Sequence, residues 1–113
     1  MNHQVREERG GIVVALSGDV DLQSSPAARS VLLNAVGRGR PIFVDLSDVT
    51  YIDSSGIASL VEALQDARKR GTRFALISVS EAARRVLQLA RLDKVFAIHA
   101  NLADALAGGE REG

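Results

Sequence analysis

The residues best suited to chemistry are the two consecutive serines in Asp53-Ser54-Ser55-Gly56. They follow an apolar segment and precede an amphipathic one, so their hydroxyls are expected at a helix start, beside unpaired N–H groups. One of Asp53, Ser54 and Ser55 should cap that helix, and the pattern leaves open which. A hydroxyl at such a position is also accessible and can accept a phosphate, whose charge of about −1.5 to −2 a helix N-terminus tolerates.

A nucleophilic role for Ser54 has little support. The serine-hydrolase elbow has the pattern G-x-S-x-G, and its first glycine is missing here. A catalytic triad also needs a histidine, and the two present, His3 and His99, fall near a terminus and at a predicted strand end. Without cysteine the chain is poor in zinc ligands, and it has no P-loop pattern. We therefore expect no enzyme, no metal site and no cofactor.

Apolar periodicity divides the chain into alternating strands and helices. Short apolar runs alternate with stretches whose apolar residues recur every three or four positions, as on one face of a helix. The predicted elements are hairpin strands 4–8 and 12–16 around Gly10-Gly11, a helix from Ser25-Pro26 to Val36, a strand 42–46, a helix starting in 53–55 and ending at Gly71, a strand 74–77, a helix with a capping box of Ser78 and Glu81, a strand 95–98, and a helix capped by Asn101 and ending at Ala107.

This order predicts an α/β fold, because strands that alternate with helices are joined by right-handed crossovers into a largely parallel sheet. The sheet should be mixed, with about five strands beginning with an antiparallel hairpin, and with about four helices. Residues 1–107 should form one domain and 108–113 a flexible tail. Polar loops are predicted at 18–21 and 48–53. They would bring together Asp19, Asp21, Asp48 and Asp53 at one end of the sheet.

Composition excludes several classes of function. The 113 residues carry 14 basic and 14 acidic side chains, and only 4% are aromatic, so direct nucleic-acid binding is not expected. Residues 1–9 lack the apolar core of a signal peptide. No apolar run approaches the roughly 20 residues of a membrane span, so we expect a cytoplasmic protein without membrane insertion. The basic residues in 68–73 and in 84–91 are expected to lie on solvated helix surfaces. The functional alternative is that they contact an acidic partner.

The stretch 44–57 (VDLSDVTYIDSSGI) resembles the signature of bacterial anti-sigma factor antagonists, which belong to the STAS group (sulfate transporter and anti-sigma factor antagonist domains). Two supporting matches are GDVD at 18–21 and LDKVF at 92–96, and the resemblance covers about residues 4–107. It implies a STAS-like fold. Asp21 matches an acidic position beside the switch serine, and Asp19 stands where the pattern often has Glu.

The resemblance also implies a mechanism. Ser54, with Ser55 as second choice, would be phosphorylated by an anti-sigma factor serine kinase of the histidine-kinase-like ATPase fold. The dephosphorylated protein would bind that kinase and release the sigma factor, and a PP2C-type phosphatase would reverse the modification. The partner-binding residues implied are Asp19, Asp21, Asp53, Ser54, Ser55 and Gly56.

Two alternatives remain within the same group. Stand-alone STAS proteins also serve as cytoplasmic subunits of lipid-transport ABC complexes, where they bind the ATPase without phosphorylation. Their counterparts of Ser54-Ser55 frequently depart from the Ser-Ser form, so the intact pair favours the switch. A stressosome-like scaffold ranks lower.

Overall fold

The computed structural model describes residues 1–108, which form a five-stranded sheet and four helices. The strands are ordered β1-β2-β3-β4-β5, with β1 antiparallel to β2 and the other pairs parallel, so the predicted fold class is confirmed. None of the described helices is long and apolar enough to cross a membrane. The elements are β1 Asn2–Glu8, β2 Gly11–Val20, α1 Ser25–Val36, β3 Ile42–Ile52, α2 Ser54–Lys69, β4 Phe74–Ile77, α3 Glu81–Leu89, β5 Ala97–His99 and α4 Leu102–Ala107.

The predicted division into a domain at 1–107 and a flexible tail at 108–113 stays a prediction. Of that tail, only Gly108 lies within the described residues.

The sheet has two unequal faces. Because side chains alternate along a strand, Val14 and Leu16 of β2 enter the main core, which α1, α2 and α3 cover, while Val13 points to the other side. There it packs with Phe43 in a smaller cluster that α4 covers through Ala105. The main core therefore holds α2 against one face of the sheet and fixes where that helix begins.

Strands β2 and β3 are longer than the apolar runs predict. The segments expected as loops, 18–21 and 48–53, continue the parallel pairing as far as Val20 opposite Ile52, with two register shifts on the way. Polar residues are tolerated there because each strand supplies hydrogen-bond partners for the backbone N–H and C=O groups of the other. Meanwhile Val20, Val49 and Ile52 stay buried in the core.

The capping box predicted at the start of α3 is wrong. The helix is capped by Ser80, whose hydroxyl oxygen accepts the Ala83 N–H at 3.2 Å and donates to the Val49 carbonyl at 2.8 Å. Ser78 instead lies in the turn after β4, with a φ of 51°. At the last helix the prediction is confirmed, because the Asn101 side chain accepts the Asp104 N–H at 2.8 Å.

Candidate functional site

The turn from β3 into α2 is organised by one carboxylate. Asp53 has extended backbone geometry, and its Oδ1 accepts the N–H groups of Ser55 at 2.9 Å and Gly56 at 3.1 Å. This is the side-chain cap of α2, so the residue left open by the sequence is Asp53. Since the carboxylate satisfies these N–H groups, neither serine hydroxyl is needed for capping.

Ser54 and Ser55 differ in accessibility. Ser54 is the first helical residue and is exposed, and its hydroxyl has no hydrogen-bond partner within residues 1–108. Ser55 is half-buried against α1, and its carbonyl accepts the hydroxyl of Ser59 at 3.2 Å. The same hydroxyl donates to the Ser25 carbonyl at the start of α1, also at 3.2 Å. Ser54 is thus the more accessible hydroxyl of the pair.

The Asp53 carboxylate also ties α2 to the loop that precedes α1. Its Oδ2 accepts the N–H of Leu22 at 3.2 Å, and the Asp53 N–H donates to the Val20 carbonyl at 3.2 Å. The Leu22 side chain is 73% exposed beside this contact. One acidic side chain therefore positions both Ser54 and an exposed leucine.

Asp21 builds the loop itself. Its Oδ1 accepts the N–H groups of Gln23 and Ser24 and the hydroxyl of Ser24, each at 3.1 Å. These donors favour the ionised form. The backbone N–H of Ser24, aided by its hydroxyl and by Gln23, holds the pKa of Asp21 below its ordinary value of 3.8.

Ionised Asp21 should stabilise the fold above its ordinary pKa of 3.8. As the pH falls, the unfolded chain takes up the proton first, so this contribution declines and is lost once the pH passes the lower folded value. We expect the difference in unfolding free energy between wild type and Asp21→Asn to shrink from pH 6 towards pH 3 in urea titrations. A difference that stays constant with pH, or a carboxyl NMR titration midpoint at or above 3.8, would contradict this.

Gly56 allows α2 to begin directly against the end of β2. A Cβ at this position would lie 2.5 Å from the Val20 carbonyl oxygen and 2.7 Å from Cγ1 of Ile52. The residue is buried. Its contribution to the site is therefore the close approach of two backbones.

The acidic residues expected to gather are only partly brought together. Asp19 is exposed near the end of β2 and accepts the Thr50 hydroxyl at 3.0 Å, so it shares the end of the sheet with Asp21 and Asp53. Asp48 lies opposite Ser17, further back along β3, and lines a separate groove with β1.

Sequence reasoning missed the apolar part of this surface, which consists of Leu22 and Tyr51, 73% and 52% exposed. The available signal was a leucine inside the otherwise polar segment 21–24.

The histidines do not join this site. His3 lies on the edge strand β1, and His99 ends β5, where its Nε2 is 3.5 Å from Nη2 of Arg73. Within residues 1–108 no three His, Asp or Glu side chains are grouped so as to hold a metal ion. The chemistry offered by the turn is that of an accessible hydroxyl in an acidic and partly apolar surface.

The mixed sheet, with an exposed serine at the turn from β3 into α2, agrees with the fold that the sequence resemblance implies. The family model of the STAS domain matches residues 3–105. The chain therefore belongs to the STAS domain family.

The relatives point to one class within that family. The anti-sigma-B factor antagonist of Bacillus subtilis is 28% identical over 100 residues, which cover 88% of this chain and 92% of that protein. A crystal structure of an anti-sigma factor antagonist from Mycobacterium paratuberculosis has a TM-score of 0.84 at 29% identity, covering 95% of this chain and 92% of that one. The phosphorylated form of the Bacillus cell fate determinant SpoIIAA shares the fold, with a TM-score of 0.70 at 21% identity and coverage of 94% and 97%. The resemblance stated from the sequence is confirmed.

Proposed function

We propose that this protein is an anti-sigma factor antagonist, switched by phosphorylation of Ser54. The observation that carries the proposal is that Ser54 is exposed, at the first position of α2, with a hydroxyl that Asp53 leaves unused. In this scheme an anti-sigma factor serine kinase, a histidine-kinase-like ATPase, transfers phosphate from ATP to Ser54. A PP2C-type phosphatase removes it. The antagonist itself is a substrate and a binding protein, not an enzyme.

The switch acts through charge and packing at the surface. A phosphate on Ser54 adds about −1.5 to −2 charges next to Asp53, on a face that already carries Asp19 and Asp21. The added charge then repels an acidic partner surface, and the bulk of the phosphate blocks close packing. Without the phosphate, the hydroxyl and the exposed Leu22 side chain form a surface that can be covered. The dephosphorylated protein binds the kinase, and the sigma factor is released.

The test is peptide mass spectrometry of the protein from its native cells, before and after phosphatase treatment. We expect a phosphate on Ser54, lost in Ser54→Ala and kept in Ser55→Ala. If Ser55→Ala alone abolished phosphorylation, the switch would stand but the residue would be Ser55. If no phosphate appeared under any growth or stress condition, the better hypothesis would be that the protein is an unphosphorylated subunit of a lipid-transport ABC complex.

Binding to the kinase gives a second measurement. Ser54→Asp should weaken binding at least about tenfold by calorimetry, because like charges brought together at an interface cost several kcal/mol. Ser54→Ala should bind as wild type does. Equal binding by both variants would show that charge at this position does not control the contact.

A further inference from the structure

A second concave surface lies at the other end of α2. It is a groove of about 650 Å³ between the end of α2, the start of β4 and the segment leading into β5. This volume is in the range of pockets that hold small molecules. Arg68, which lines it, is fourteen residues beyond Ser54, or about 21 Å along the helix axis. The groove is therefore separate from the site at Ser54.

Every charged side chain that lines this groove is cationic: Arg68, Arg73 and Lys94. The Arg73 guanidinium is engaged with α4 and the sheet, since its Nη2 donates to the Ala105 carbonyl at 2.7 Å and its Cζ lies 5.1 Å from the Phe43 ring centroid. The cations left for a ligand are thus Arg68, in the last turn of α2, and Lys94, in the segment leading into β5.

Both remaining cations have donors to spare. Nη2 of Arg68 reaches across to the Val95 carbonyl at 3.4 Å, a weak contact that uses one of its five N–H groups. Lys94 is exposed and makes no hydrogen bond or ion pair within residues 1–108. Arg68 also complements the carbonyl end of α2. Lys94 is outside that helix, so helix stabilisation does not explain its position.

The lining of the groove is partly apolar. Phe74 and Phe96 reach it from the main core, where they are 6% and 4% exposed with ring centroids 6.3 Å apart, and Val95 beside them is 40% exposed. Apolar walls with a few convergent polar groups are what small-molecule sites present. Cations beside a partly apolar lining fit a ligand that is anionic at one end and apolar at the other.

We propose that this groove binds a small organic anion with an apolar body, whose carboxylate, phosphate or sulfonate group pairs with Arg68 and Lys94. The apolar body rests against Val95 and the small exposed edges of Phe74 and Phe96. The inference does not depend on the proposed switch, because it concerns a different end of the molecule.

The probe for this site is 8-anilinonaphthalene-1-sulfonate, and its control is N-phenyl-1-naphthylamine, the same body without the sulfonate. We expect saturable binding of the anionic probe to the native chain, with amide NMR shifts centred on Thr72, Phe74 and Val95. The double variant Arg68→Gln/Lys94→Gln should raise its Kd at least about tenfold, because two charge-assisted hydrogen bonds are lost. The matched control is Lys69→Gln, which removes a charge from the same helix end but outside the groove lining, and should change the Kd less than about twofold.

Four results would overturn the proposal. Two concern affinity: equal weakening by Lys69→Gln and the double variant, and equal affinity for the charged and uncharged probes. The other two are NMR shifts centred elsewhere and the absence of saturable binding. Should the double variant fold poorly, Lys94→Gln alone serves, since this side chain has no partner within residues 1–108. It should raise the Kd by about threefold or more.

Discussion

Replacing Gly56 by alanine should lower the free energy of unfolding by about 2 kcal/mol. The added methyl group would lie 2.5 Å from the Val20 carbonyl oxygen and 2.7 Å from Cγ1 of Ile52, so the start of α2 must move away from β2. Overpacking of this kind costs up to about 3 kcal/mol. Alanine regains about 1 kcal/mol of that, because glycine is a poor helix former. Urea unfolding of the two proteins measures the difference.

Gly37 provides the matched control for this prediction. It ends α1 with a helical φ of −63°, and a Cβ there would meet nothing closer than 3.5 Å. Gly37→Ala should therefore leave stability unchanged or raise it by up to about 1 kcal/mol. If Gly56→Ala were as stable as Gly37→Ala, the contact between α2 and β2 would be less tight than described.

Removing the Asp53 side chain should also cost about 2 kcal/mol in unfolding free energy. Asp53→Ala loses the two N–H contacts that cap α2, worth about 1 kcal/mol. It also loses the contact to the Leu22 N–H, worth about 1 kcal/mol more. Chemical denaturation measures the sum. Asp48→Ala is the control, since the exposed carboxylate of this residue makes no hydrogen bond within residues 1–108 and its loss should change stability by less than about 0.5 kcal/mol.

Asp53→Asn separates the two roles of this carboxylate. Asparagine caps helices as well as aspartate does, so the amides of Ser55 and Gly56 should stay protected from hydrogen exchange. The asparagine side chain has only one oxygen, which cannot accept both the cap N–H groups and the Leu22 N–H. The Leu22 amide should therefore exchange faster than in wild type. Uniform loss of protection at all three amides would mean that cap and loop form one inseparable unit.

The parts of the fold that local pattern could predict are those that local interactions determine. The Asn101 cap, the strand Phe74–Ile77 and the apolar face of α2 each depend on residues close together in sequence. The alternation of strands and helices then restricts the topology to a largely parallel sheet. The candidate phosphate acceptor could be located for the same reason, because a Ser-Ser pair at a strand-to-helix boundary is itself a local signal.

What pattern could not predict depends on contacts between distant segments. The ends of β2 and β3 are polar, so the local pattern predicts loops there. They are strands because each pairs with the other. Ser78 and Ser80 both precede Glu81, so the local pattern does not decide between them as the cap of α3, whereas the contact from the Ser80 hydroxyl to the Val49 carbonyl spans 31 positions. The contact between the Asp53 carboxylate and the Leu22 N–H spans 31 positions, and it ties the loop that carries the exposed leucine to the start of α2.

The hairpin turn between β1 and β2 has a practical consequence for measuring any of these effects. Arg9 and Gly10 form a two-residue turn, with φ values of 52° and 85°, and a Cβ at Gly10 would meet nothing within 4 Å. From there β2 runs ten residues, roughly 33 Å, to the end of the sheet that carries Ser54. A fluorophore or surface linker attached in this turn would lie at the end of the sheet opposite Ser54 and leave the Ser54 end free to contact its partner. When the protein is immobilised through such a linker, every copy would present the same surface to solution.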